Sequence, residues 1–132
     1  HPERMADRIL GMGDVLYLIE KEGKTILYAH DTGYFPEETW EYMKTCKMYF
    51  DLVSMDCTEG AYEELDYHGH MCLGRNIKCR DRMLEEKLID EKTKLVLNHF
   101  SHNGISSNYT DFVPLATDKG FEVSFDGMEI DV

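Results

Sequence analysis

The sequence predicts an α/β fold in a single domain over residues 1–132. Short apolar runs of five to seven residues alternate with longer stretches in which apolar residues recur at helical spacing. Strands that alternate with helices are typical of a sheet covered by helices, and two closely spaced strand-like runs occur at each end of the chain. We therefore expect the element order ββ-α-β-α-β-α-ββ.

The first half of the chain is predicted to contain three strands and a helix. Two β-rich runs, 14–20 and 24–30, are separated by a turn that contains glycine, which predicts a hairpin. A helix is expected over 36–48, because Pro36 suits a first helical turn and acidic residues follow it. The run 51–57 has few polar residues and is predicted to be a buried strand.

The second half continues the alternation. A polar, acidic loop leads into a predicted helix over 72–89, whose apolar residues share one stripe. A short buried strand is expected over 94–98, and a further helix over about 110–119. The chain is predicted to close with a hairpin whose strands, 121–125 and 128–132, flank an Asp-Gly turn.

Charge and hydropathy restrict the partners. The chain has 26 acidic and 14 basic residues and a net charge of −12. A field of that sign repels nucleic acid and anionic membrane surfaces, so we expect neither as a partner. No apolar run approaches the roughly 20 residues of a membrane helix, and the N-terminus lacks the pattern of a signal peptide.

The acidic composition, with its eight methionines, suggests a cytoplasmic protein whose thiols are reduced. Cys46, Cys57, Cys72 and Cys79 include no C-x-x-C pair. We expect buried, unreactive thiols, with two disulfides or a zinc site made of cysteines as the alternatives.

Candidate site residues follow three of the predicted strands. Asp31, Asp56 and His99 each stand where an apolar run ends, and His70 precedes the second helix. In open α/β sheets functional groups collect beyond the carboxyl ends of the strands, so these side chains are expected to converge. Ordinary structural roles stay open, because an Asp-Thr-Gly turn is common and a histidine can be satisfied inside a core.

Five segments around these residues occur in a characteristic order: YAHDTG, DCT, GHM, NHFSHNG and FEVSFDGMEI. With their strands and helices they resemble the C-terminal half of the metallo-β-lactamase fold. The most similar branch is phosphodiesterase-like and includes phosphoribosyl cyclic phosphate phosphodiesterase. The resemblance extends from about residue 12 onward and implies that the chain forms one half of an αββα sandwich.

The resemblance also implies a role for each candidate residue. Asp31 would bridge two divalent metal ions, zinc or manganese, and His99 would be a further ligand. His70 would contact the phosphate or protonate the leaving group. Asp56 and His102 would support the ligands or face the substrate, and the choice between His99 and His102 as the ligand stays open. The implied reaction is two-metal hydrolysis of a small phosphate ester or cyclic phosphate.

One departure limits this interpretation. The H-x-H-x-D-H signature, which the family carries on its N-terminal half, does not occur in this chain. The chain alone therefore has too few ligands for a dinuclear centre, and by itself we expect it to be inactive. It would be a fragment that lacks its N-terminal half, or a half-fold that pairs with its own copy through an apolar sheet face. The alternative is an acidic α/β interaction module without enzymatic activity.

Overall fold

A computed structural model describes residues 7–10, 15–64, 69–100 and 109–132 of the chain. Within these residues there are six strands and three helices. The strands are β1 (Asp7–Leu10), β2 (Val15–Lys21), β3 (Lys24–Ala29), β4 (Leu52–Asp56), β5 (Lys94–Asn98) and β6 (Glu122–Val123). The helices are α1 (Glu37–Thr45), α2 (Leu73–Glu85) and α3 (Tyr109–Asp118). The alternation of strands and helices confirms the predicted α/β class.

The six strands form one sheet in the order β1-β2-β3-β4-β5-β6. β1, β2 and β3 pair antiparallel, whereas β3, β4, β5 and β6 run parallel. Each parallel neighbour is reached through one helix, as a crossover connection requires. The carboxyl ends of β3, β4 and β5 consequently lie at the same edge of the sheet.

The two ends of the sheet differ from the prediction. β1 was not expected, because DRIL is short and half polar, yet it pairs with β2 in the register Asp7↔Leu18. The strand predicted over 128–132 is wrong, since that segment joins no strand in the described sheet. The Asp-Gly turn does form, with the Met128 amide donating to the Phe125 carbonyl at 3.0 Å. The alternating pattern beyond it instead places Met128 and Ile130 along a cleft beside β4 and β5.

Both α1 and α2 end earlier than predicted, and for the same reason. Lys47 and Lys87 adopt left-handed backbone conformations with φ of 51° and 62°. The next amide in each case bonds back to a carbonyl five residues earlier, from Met48 to Met43 and from Leu88 to Met83. This arrangement closes a helix and usually uses glycine. Because lysine rather than glycine occupies this left-handed position in both helices, the sequence pattern does not indicate where the helices end.

The helices cover one face of the sheet and enclose the core. The largest fully buried side chains are Trp40, Phe50, Phe112, Phe121, Leu27, Met43, Met55, Met71, Met83, Leu88, Leu97 and Val53. All four cysteines lie within the described residues, and all four are free thiols. Cys46 is exposed and the other three are buried. The expectation of buried thiols is therefore confirmed for Cys57, Cys72 and Cys79 and wrong for Cys46. Among the described helices, none combines the length and apolar character needed to cross a membrane.

The opposite face of the sheet carries apolar side chains that the helices do not reach. Tyr17 and Tyr28 are paired neighbours on β2 and β3 and are 39% and 40% exposed. Over β4 and β5 the same face borders a cleft of about 630 Å³ that the C-terminal segment encloses from the other side. The Lys94 ammonium ties this segment down by donating to the Asp131 carbonyl. The open part of the face is thus the part on β2 and β3.

Truncating the centre of the core should be costly. Leu97 on β5 is fully buried, so Leu97→Ala is expected to lower the free energy of unfolding by about 2–5 kcal/mol. The matched control is Leu84→Ala on α2, where the side chain is 43% exposed and the change should stay within about 0.5 kcal/mol. Urea denaturation measures both, and equal effects would contradict the assigned core.

Candidate metal centre

Four candidate residues meet beyond the carboxyl ends of the parallel strands. Asp31 follows β3, Asp56 is the last residue of β4, and His99 directly follows β5. His70 arrives from the loop before α2. Each offers one ligand-type atom, and these four atoms lie within 4.8 Å of one another. His102 lies outside the described residues.

Asp56 is the buried centre of the group. Its carboxylate is 0% exposed. Oδ1 accepts hydrogen bonds from the amide and hydroxyl of Thr58, at 2.9 and 2.8 Å, and from the Met71 amide at 3.3 Å. Oδ2 accepts from the Thr32 amide at 3.3 Å. One carboxylate therefore connects the turn after β3, the loop after β4 and the start of α2.

The two imidazoles are held on the same side by this carboxylate. Nδ1 of His70 is 3.0 Å from Asp56 Oδ2, and Nδ1 of His99 is 3.3 Å from the same oxygen. The rings stack with centroids 5.4 Å apart. A histidine that donates its Nδ1 proton to a carboxylate keeps the Nε2 lone pair for a metal or a substrate proton. Both rings are partly exposed, at 21% and 41%.

Asp31 completes the group from the solvent side. Its Oδ1 is 3.7 Å from His70 Nδ1, and its side chain is 76% exposed. It thus differs from Asp56 in having a carboxylate that solvent ions can reach. Two carboxylates and two imidazoles are ligand types that zinc and manganese accept.

The backbone is strained at two of the four positions. Asp31 and His99 have φ of 57° and 62°, in the left-handed region that non-glycine residues seldom adopt. Such conformations cost free energy and persist where the surrounding structure enforces them, often at functional sites. Asp31 and His99 adopt this conformation where β3 and β5 end, as Lys47 and Lys87 do where α1 and α2 end.

Thr58 belongs to the centre, although the sequence reasoning did not select it. Its hydroxyl lies 2.7 Å from Nδ1 and from the carbonyl oxygen of His99, and 3.2 Å from Nδ1 of His70. Its single proton can go to Asp56 Oδ1 or to the His99 carbonyl, while its lone pairs can accept an imidazole N–H. The available signal was the Asp-x-Thr spacing, which is typical of a side chain that bonds the backbone two residues on.

A second polar layer lies directly below the centre. The amide of Asn98 donates to Ser54 Oγ at 2.6 Å, and Nε2 of His30 is 2.6 Å from the same oxygen. Asn98 lies on β5, Ser54 lies on β4 and His30 directly follows β3. Their hydrogen bonds therefore run across three neighbouring parallel strands. The pKa of His30 is below its usual 6.5, first because burial disfavours the imidazolium and then because His99 repels it, with Asp56 acting in the opposite direction.

This shift makes folding sensitive to acid. The unfolded chain protonates His30 near pH 6.5, whereas the folded protein resists until a lower pH, so stability falls as the pH drops through that window. We expect the free energy of unfolding to fall more for the wild type than for His30→Gln between about pH 7.5 and about pH 5.5. Urea denaturation at both pH values tests this, and identical pH dependences would contradict it.

Comparison with known proteins adds a similarity in fold. No family model matches the chain, and no curated protein matches it. Among solved structures, the chain is similar to the metallo-β-lactamase fold protein YhfI from Bacillus subtilis, with a TM-score of 0.49 and 18% sequence identity. The alignment covers 90% of this chain and 44% of YhfI, so the chain spans less than half the length of that protein.

Proposed function

We propose that this chain is one half of a metal-dependent hydrolase that cleaves small phosphate esters or cyclic phosphates. The observation that carries the proposal is the convergence of Asp31, His70 and His99 around the buried carboxylate of Asp56. The motifs that resemble the phosphodiesterase-like branch of the metallo-β-lactamase superfamily lie at these residues. A group of this composition is rarely assembled by core packing alone, because partly buried charges cost free energy unless they are paired.

The four residues divide by exposure and by hydrogen bonding. Asp31 and His99 would hold the metal, since the first has an open carboxylate and the second can free its Nε2. His70 would contact the phosphate or donate a proton to the leaving group. Asp56 would orient both imidazoles rather than bind the metal, because its oxygens already accept hydrogen bonds from Thr58, Met71 and Thr32.

Divalent zinc or manganese in this site would polarise a phosphoryl oxygen and make water a better nucleophile at neutral pH. The cation would also offset the repulsion between an anionic substrate and a chain of net charge −12. A cytoplasmic location is part of the proposal, because reducing conditions keep free thiols such as the buried Cys57 and Cys79 reduced.

Completion of the site requires a partner. The described residues offer fewer ligands than two metal ions need, and the open face of β2 and β3 exposes Tyr17 and Tyr28. We propose that the missing N-terminal half packs on this face and supplies the remaining ligands, whereas a second copy of the chain packed there would leave the site incomplete. Exposed apolar patches of this kind mark interaction sites.

A denaturing mass spectrum of the native sample, followed by an assay, tests the function. We expect a second polypeptide beside the 15.4 kDa chain, and hydrolysis of bis(p-nitrophenyl) phosphate by the complex in the presence of zinc or manganese. Asp31→Asn should abolish this turnover without dissociating the complex. A complex that turns over equally well with Asp31→Asn, or that shows neither turnover nor metal uptake, would contradict the hydrolase and favour the interaction module.

A further inference from the structure

Arg75 connects the candidate centre to the loop in front of α2. It lies in the first turn of α2, and its side chain is 4% exposed. Nε donates to Glu64 Oε1 at 2.5 Å, and Nη1 donates to the main-chain carbonyl of His70 at 3.2 Å. The two partners stand on either side of residues 65–68, which lie outside the described part of the chain. Arg75 therefore bridges the two ends of this loop.

Helix stability does not explain an arginine at this position. A cation in the first turn opposes the helix dipole, and α2 has no acidic residue there to offset it. A buried ion pair is also weak evidence for stability, because desolvation of both charges cancels much of their attraction. A residue that opposes its local environment in this way is expected at a functional site.

The first part of the loop is attached to α2 without Arg75. The amides of Leu73 and Gly74 donate to the carbonyls of Gly60 and Tyr62 at 2.8 and 3.0 Å. A Cβ at Gly74 would lie 1.9 Å from the Glu63 carbonyl oxygen, so the backbones approach as closely as glycine permits. The Arg75 guanidinium is therefore needed mainly at the other end of the loop, where it binds the main-chain carbonyl of His70.

We propose that Arg75 is a positioning residue for His70, an inference that rests on the proposed function of that histidine. Arg75 fixes the His70 carbonyl, while Asp56 fixes the following amide, on Met71, at 3.3 Å and the ring Nδ1 at 3.0 Å. Arg75 and Asp56 thereby hold the two polar groups of the peptide unit that follows the His70 Cα. Loss of the guanidinium releases the carbonyl of that unit, and the imidazole loses part of its orientation toward the centre.

Two variants and a matched control test this role in the full chain. Arg75→Met removes the charge and both donors, and Arg75→Lys keeps the charge without the fork geometry. Lys78→Met is the control, because Lys78 also pairs with Glu64, at 2.8 Å, and lies farther along α2 than Arg75. The readouts are the zinc affinity from calorimetric titration and the ¹⁵N shifts of the His70 ring in metal-free protein.

We expect Arg75→Met to shift the His70 ring resonances and to leave the zinc affinity within a few-fold of the wild type, because the proposed ligands are Asp31 and His99. Arg75→Lys should give an intermediate result, and it replaces Arg75→Met if that variant does not fold. Unchanged ring resonances in both variants, or an equal shift in Lys78→Met, would overturn the proposal. If the wild type binds no zinc, the proposed function fails, and the ring resonances still decide the role of Arg75.

Discussion

Asp56→Ala is expected to lower the free energy of unfolding by about 3–5 kcal/mol. The variant leaves buried donors on Thr32, Thr58 and Met71 without their acceptor, in a site where the carboxylate is 0% exposed. Each unsatisfied buried donor costs roughly 1–3 kcal/mol, which makes the sum large against the marginal stability of folded proteins. Urea denaturation near neutral pH measures the change.

The control for this result is Asp31→Asn. Asparagine tolerates the left-handed backbone of Asp31, and the side chain there is 76% exposed. Its effect on stability should therefore stay within about 0.5 kcal/mol. Comparable losses from the two variants would show that Asp56 is not the centre of the hydrogen-bond network.

The second large effect concerns metal affinity. His99→Asn is expected to weaken zinc binding by more than the roughly 10–100-fold that loss of an outer partner costs, because it removes a proposed ligand itself. Asparagine is preferred to alanine because it accepts the φ of 62° at this position with less strain. Calorimetric titration with zinc measures the affinity.

His30→Gln is the control for the metal measurement. His30 lies in the layer below the centre, bonded to Ser54, and is not a member of the four-residue group. Its replacement should leave the zinc affinity within a few-fold of the wild type. If His30→Gln lost as much affinity as His99→Asn, the ligand assignment would be wrong.

The alternation of elements was predictable because it depends on local patterns. The runs that became β2 to β5 have strong apolar patterns, and the periodic stretches between them became α1 and α2. The C-terminal ends of α1 and α2 were harder to predict, because the left-handed residues that close these helices, Lys47 and Lys87, are not glycines. The segment 128–132 shows that alternation alone cannot distinguish a paired strand from a chain that packs beside a sheet.

The site was predictable to the extent that parallel topology determines it. Asp31, Asp56 and His99 follow apolar runs, and parallel strands bring such positions to one edge. Thr58 was missed because its importance comes from contacts distant in sequence, and Arg75 because the acidic loop before α2 has no regular pattern. The Thr58 hydroxyl meets His99, 41 residues away, and no local pattern reports such a contact.

Equilibrium binding of zinc and manganese to the chelator-treated native complex tests the central claim most directly, with the complex that carries Asp31→Asn measured beside it. The account predicts saturable binding by the wild type and its loss in Asp31→Asn, while the thermal unfolding midpoint of the metal-free proteins stays the same. Equal binding by both proteins would place the metal elsewhere. No binding by the wild-type complex would contradict a metal centre at Asp31 and His99.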